Sequence, residues 1–101
     1  MIAEIGGMIF EWDEKKEQIN IERHGVNFRI AAQIFLDDNV LQRMDDIHSF
    51  GEIRMQAIGA VNDGQVMVLT ASYTERGERI RIINARKATK QERRLYYGQD
   101  H

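Results

Sequence analysis

Two tight-turn signals partition the second half of this chain and confine it to a β-meander. Asn62-Asp63-Gly64 and the segment from Thr74 to Gly77 each set a glycine between runs suited to strands. Glycine accepts the left-handed backbone that a short hairpin loop requires. Strands are therefore expected over 53–61, 65–73 and 78–85, with a weaker one over 40–44. No proline interrupts them, because the chain contains none.

The first half reads differently. Met8, Phe10 and Trp12 alternate with polar or smaller neighbours and predict a short first strand. Asp13 is a suitable N-cap for a helix running to Arg23 or His24, which Gly25 ends. Its thin apolar face, Ile19 and Ile21, marks a surface helix. Asn27 caps a second helix whose Phe28, Ala31, Ala32 and Phe35 form a core-facing stripe, and Asp37-Asp38-Asn39 stops it. Thr89-Lys90-Gln91-Glu92 reads as a capping box opening a final helix to about Tyr97. Residues 1–7, with Gly6-Gly7, are expected to be a flexible N-terminal extension before Met8. Residues 8–98 should form a single domain and 99–101 a C-terminal tail. The order β-α-α-β-β-β-β-α predicts an α+β fold, a mostly antiparallel sheet packed against helices with one open face.

Composition removes several classes. There is no cysteine for a disulfide or a thiolate metal site, and no apolar run long enough to cross a bilayer, so a cytoplasmic protein is expected. The net charge of −2 argues against a general nucleic-acid binder. Its distribution argues the other way. Between Arg76 and Arg94 lie eight Lys/Arg and two acids, while the remainder holds six Lys/Arg and fourteen acids. Two readings stand: a solvated basic face, or contact with RNA or DNA.

Arg79-Ile80-Arg81-Ile82 alternates strictly, so Arg79 and Arg81 share one face of a strand. Paired guanidinium groups on a rigid strand suit a phosphodiester, since each can bond two non-bridging oxygens. The alternative is a solvent-facing strand whose arginines pair with neighbouring acids. Ile83 breaks the alternation and leaves the faces of Arg86 and Lys87 unassigned. They precede the last helix, either as an anion-binding pair or as a charged turn. His48, with Glu52 four residues on, offers an acid/base pair or an exposed loop histidine. His24 reads as a group at a helix C-terminus, and Tyr73, Tyr96 and Tyr97 as stacking or packing residues. Asp45, Asp46, His48 and Glu52 match no metal-ligand spacing. Neither a phosphate-cradling glycine loop nor a nucleophilic serine elbow is present, and no cofactor is indicated.

Several segments taken in order carry a resemblance. They are Phe10-Glu11-Trp12-Asp13, Lys16, Asn20, His24-Gly25-Val26 and Phe28, then His48-Ser49, Glu52, Arg54 and Ile58-Gly59. Thr74, Arg76-Gly77, Ile80-Arg81-Ile82-Ile83, Ala85-Arg86-Lys87-Ala88-Thr89, Glu92-Arg93 and Tyr96 complete the set. Over residues 8–97 the chain resembles the BrnT family, departing from its pattern at Leu69 to Ser72 and at Gln65. The resemblance implies a RelE-like fold and a ribonuclease toxin of a bacterial type II toxin–antitoxin system that stops translation. It further implies a ribbon–helix–helix antitoxin of the BrnA kind, two toxins pairing with two antitoxins, and contact with operator DNA only through that partner. Without a metal, the expected reaction is attack of a ribose 2′-OH on the adjacent phosphorus. Arg76 and Arg81 are then expected to stabilise charge and His48 or Glu52 to move protons, with Arg79, Arg86, Lys87 and Tyr96 contacting RNA. The competing expectation is a non-catalytic basic module that docks a protein or operator DNA.

Overall fold

The computed structural model describes residues 1–46 and 51–99. Among the described residues ten elements follow in order: strands β1 (Ile2–Ile5) and β2 (Met8–Glu11), helices α1 (Glu14–His24) and α2 (Phe28–Ala32), and a 3-10 segment (Gln33–Leu36). Strands β3 (Leu41–Met44), β4 (Met55–Asn62), β5 (Val66–Arg76) and β6 (Arg79–Lys87) and helix α3 (Lys90–Tyr97) complete them. The described strands form one six-stranded sheet in the order β1-β2-β6-β5-β4-β3. Every pairing is antiparallel except β2 with β6.

The helix punctuation matches its capping chemistry. The Asp13 carboxylate accepts from the Lys15 and Lys16 amides, Asn27 accepts from Ile30, and Thr89 and Glu92 form the reciprocal capping box. Gly25 ends α1 at φ 69°. The second helix is shorter than its stripe suggested. It tightens into the 3-10 segment, whose Ile34 packs directly on Gly59 of β4. A Cβ at Gly59 would lie 2.9 Å from both the Cβ and the carbonyl oxygen of Ile34.

Three expectations are corrected. Residues 1–7 are not a loose extension. Gly6 and Gly7 adopt φ 60° and 82°, forming a two-residue turn that joins β1 to β2 with Ile5 opposite Met8. The Gly-Gly pair is a hairpin signal, and Ala3 enters the main core. The expected turn from Thr74 to Gly77 shrinks to Gly77-Glu78, because Thr74–Arg76 continue β5 opposite Arg79–Arg81. Finally, the face expected to be open is partly covered. Phe10, Phe28, Ile34, Leu69, Tyr73 and Ile82 pack on the α1–α2 side. Tyr96 of α3 packs with Ile58 and Val68 on the other.

The break in phase at Ile83 has a structural cause. Tyr73 pairs with Ile82 and Ser72 with Asn84, so Ile83 is an extra residue, a β-bulge. Beyond Arg81, β6 has no strand partner on its β2 side, because β2 ends at Glu11. Asn20 of α1 substitutes for one. Its amide group donates to the Ala85 carbonyl at 2.8 Å, and its oxygen accepts from the Ala85 amide at 3.0 Å. The same Nδ2 donates to the Val26 carbonyl. One buried side chain thus satisfies backbone groups that would otherwise be orphaned.

Candidate functional site

The registers settle which side chains share the α3 face of the sheet. Arg76 lies opposite Arg79, Thr74 opposite Arg81, Ser72 opposite Asn84 and Thr70 opposite Arg86. Ile80 and Ile82 turn into the core, as the alternation predicted. The bulge at Ile83 restores phase so that Arg86 returns to the face of Arg79 and Arg81.

These arginines are already engaged with acids. Arg81 donates to the Glu11 carboxylate at 2.7 Å, and Arg79 approaches the same group at 4.0 Å. Parallel pairing sets Glu11 directly beside Arg81. The Arg81 side chain keeps 26% exposure, so solvent still reaches it. Arg76 makes a two-point pair with Glu52 at 3.2 Å, out in solvent. The Thr74 hydroxyl, opposite Arg81, is buried without a hydrogen-bond partner among the described residues.

Arg86 is held most tightly. Glu92 of α3 accepts two of its N–H groups at 2.6 and 3.0 Å, the Thr70 hydroxyl at 3.0 Å and the Thr89 amide at 2.8 Å. Arg43 approaches from β3 at 3.7 Å. Burial pushes the Glu92 carboxyl up, but the Arg86 hydrogen bonds, the Thr89 amide, the Arg86 charge and the Thr70 hydroxyl outweigh it and leave it at about 2. The bond to Glu92 in turn raises Arg86.

Beside Arg86, a groove of about 400 Å³ opens between α1 and β6, lined by Lys16, Ile19, Asn20, Arg23, His24, Ile83, Asn84 and Arg86. Lys16, Asn20 and His24 recur every four residues and so share one face of α1. Four of the lining residues are basic side chains and none is acidic. The groove adjoins the arginine face through Arg86, which belongs to both. The Asp13 carboxyl, lowered chiefly by the Lys16 amide, is lowered further by the charges of Lys16 and Arg81.

The expected site residues therefore divide. Arg76, Arg79, Arg81 and Arg86 come together on one face, whereas Lys87 lines a separate groove beside α3. Glu52 is bound to Arg76, and His48 lies outside the described residues. Tyr96 cannot stack on a base. It is buried, its hydroxyl donates to Asp37, and burial with that bond pushes it up to about 12. Tyr73 is likewise enclosed in the core. Sequence reasoning missed Arg23 and Asn84, took His24 only as a helix-end group, and assigned no role to Lys16 or Asn20. The four-residue spacing of Lys16, Asn20 and His24 was the available signal.

A family model described as "Ribonuclease toxin, BrnT, of type II toxin-antitoxin system" matches residues 12–92. Among solved structures, the crystal structure of the Brucella abortus ribonuclease toxin BrnT aligns with a TM-score of 0.58 at 25% identity, covering 80% of this chain and 96% of that one. No curated protein matches in sequence. The family match includes α1, all of β6 and the start of α3, the elements that build the basic groove and the arginine face, and the chain belongs to the BrnT family of ribonuclease toxins from type II toxin–antitoxin systems.

Proposed function

We propose that this protein is a metal-independent endoribonuclease, built on a RelE-like scaffold, that stops translation in the cytoplasm. The observation that carries this reading is the groove between α1 and β6, where Lys16, Arg23, His24 and Arg86 converge with no acid among the lining residues. Its cations supply the positive charge that a metal would otherwise bring to a phosphodiester. His24 takes the proton from the ribose 2′-OH. The 2′-oxygen bonds to phosphorus, the P–O5′ bond breaks, and the leaving 5′-oxygen takes a proton from water. A 2′,3′-cyclic phosphate results. Lys16 and Arg86 hold the scissile phosphate in line for attack, and Arg81 stabilises the charge that develops on it. Arg76 and Arg79 extend the cationic face.

His24 takes the proton-transfer role first expected of His48 or Glu52, because Glu52 is occupied by Arg76. Membership of a type II toxin–antitoxin family implies a protein antitoxin. We further propose that it is of the BrnA ribbon–helix–helix kind, in a complex of two toxins and two antitoxins that alone meets operator DNA.

The test is cleavage of RNA by purified protein in EDTA. Arg81→Ala should lower the rate by about 10²–10³, and His24→Gln by about 10²–10⁴. Cleavage that vanishes in EDTA and returns with magnesium overturns the metal-free mechanism. A second reading, a non-catalytic basic module, is favoured by the carboxylate partners of Arg76, Arg81 and Arg86. Expression separates the two, since a toxin arrests growth and a binding module does not.

A further inference from the structure

We infer that the groove between α3 and the start of β5 is a second RNA-contact site, a track that grips the backbone of single-stranded RNA away from the cleavage groove. The inference rests on the ribonuclease reading and extends it to how substrate is held. Lys90, Arg93, Arg94 and Tyr97 fall at i, i+3, i+4 and i+7 of α3, so they occupy one side of the helix. Glu92 and Tyr96 occupy the other and are buried against the sheet. Lys87 and the β5 segment Val66–Val68 form the opposite wall of a groove of about 520 Å³.

What distinguishes this groove is the state of its charges. Arg76, Arg79, Arg81 and Arg86 all face carboxylates, which must be displaced or shared before phosphate can bind. Among the described residues, Lys87, Lys90, Arg93 and Arg94 have no carboxylate within ion-pair distance, and no acid lines the groove. Three cations in a stripe of about 6 Å along the helix, with Lys87 facing them across the groove, repel one another, and a polyanion relieves that repulsion while releasing its own counterions. Tyr97 stands at the end of the stripe, 63% exposed, its ring held edge-on by Tyr96 at 5.1 Å. Val66 across the groove is 65% exposed. A free aromatic face beside phosphate-sized positive charge is the arrangement that binds single strands with little sequence preference. Stacking thus passes from Tyr96, first expected to serve it, to its neighbour.

The test is fluorescence anisotropy with a short fluorescein-labelled oligoribonucleotide, 2′-O-methylated throughout so that it cannot be cleaved, titrated across a range of NaCl. The triple variant Lys90→Gln/Arg93→Gln/Arg94→Gln should weaken binding at least tenfold and reduce the slope of log affinity against log salt by about 2. Tyr97→Ala should weaken binding by about tenfold with an unchanged salt slope. On cleavable RNA the triple variant should raise KM and retain kcat. Lys15→Gln, an exposed lysine outside both grooves, should change nothing. These side chains are exposed, so thermal melts should match wild type and show that the variants fold. Unaltered affinity and salt slope in the triple variant overturn the track even if wild-type protein cleaves RNA. Wild-type protein that binds the probe through these residues but never cleaves RNA upholds the track and refutes the ribonuclease. A triple variant that keeps RNA binding but no longer co-purifies with its antitoxin assigns the groove to the antitoxin and overturns the RNA reading.

Discussion

Glu92 is the residue whose replacement should cost most for the fewest atoms. Its side chain is 7% exposed and accepts from Arg86, Thr70 and the Thr89 amide. Glu92→Ala leaves the Arg86 guanidinium without its partner, orphans the Thr70 hydroxyl and opens the capping box. Breaking such a pair from one side costs about 3–5 kcal/mol, a large share of the roughly 5–15 kcal/mol that holds a small domain together. Glu92→Gln keeps the shape and one acceptor oxygen but loses the charge, for about 2–3 kcal/mol. Glu52→Ala removes an equally direct partner from Arg76, but both side chains are 47% exposed, so about 0–1 kcal/mol is expected. Acid provides an independent check. The Glu92 carboxyl falls from an ordinary 4.5 to about 2 in the folded protein. A depressed carboxyl stabilises the fold above its unfolded value, and that contribution is lost as pH falls towards 2. The shift corresponds to ~3 kcal/mol. Urea unfolding followed through Trp12, the single tryptophan and 2% exposed, measures both effects. Wild type should lose ~3 kcal/mol more than Glu92→Gln between pH 5 and pH 2. The reasoning fails if Glu92→Ala costs no more than Glu52→Ala, or if both proteins respond to acid alike.

Two further outcomes concern the fold. Asn20→Ala should destabilise by about 3 kcal/mol, because it strands the Ala85 amide and the Ala85 and Val26 carbonyls in a buried site; hydrogen exchange at the Ala85 amide should accelerate, and unchanged protection there would refute the surrogate-strand role. Deleting residues 1–7 should lower the melting temperature, since it removes β1, the buried Ala3 and the bonds joining Met1 to Trp12; an unaltered melt would show that β1 adds nothing to the core.

Local chemistry was readable from the chain. The caps at Asp13, Asn27 and Thr89, the stop at Gly25 and the alternation through Arg79–Ile82 depend on neighbours within a few residues, and each occurs as expected. The family was legible for a related reason, because its pattern is an ordered set of such local signals. The N-terminal hairpin was also written locally but misread, since Gly-Gly serves a break and a tight turn equally until a partner strand exists.

What only the tertiary structure decided is which distant residues meet. The sheet order sets Glu11 beside Arg81, 70 positions later. The docking of α3 buries Tyr96 and turns Arg86 from a free cation into the partner of Glu92, while leaving Lys90, Arg93, Arg94 and Tyr97 on the outside. The packing of α1 along β6 brings Lys16 and His24 to the same groove as Arg86. The residues between Arg76 and Arg94 determine by themselves that positive charge collects there. Whether a given cation is neutralised or left for a ligand depends on carboxylates brought within 4 Å by folding, because Coulomb attraction is decided by separation in space and not along the chain.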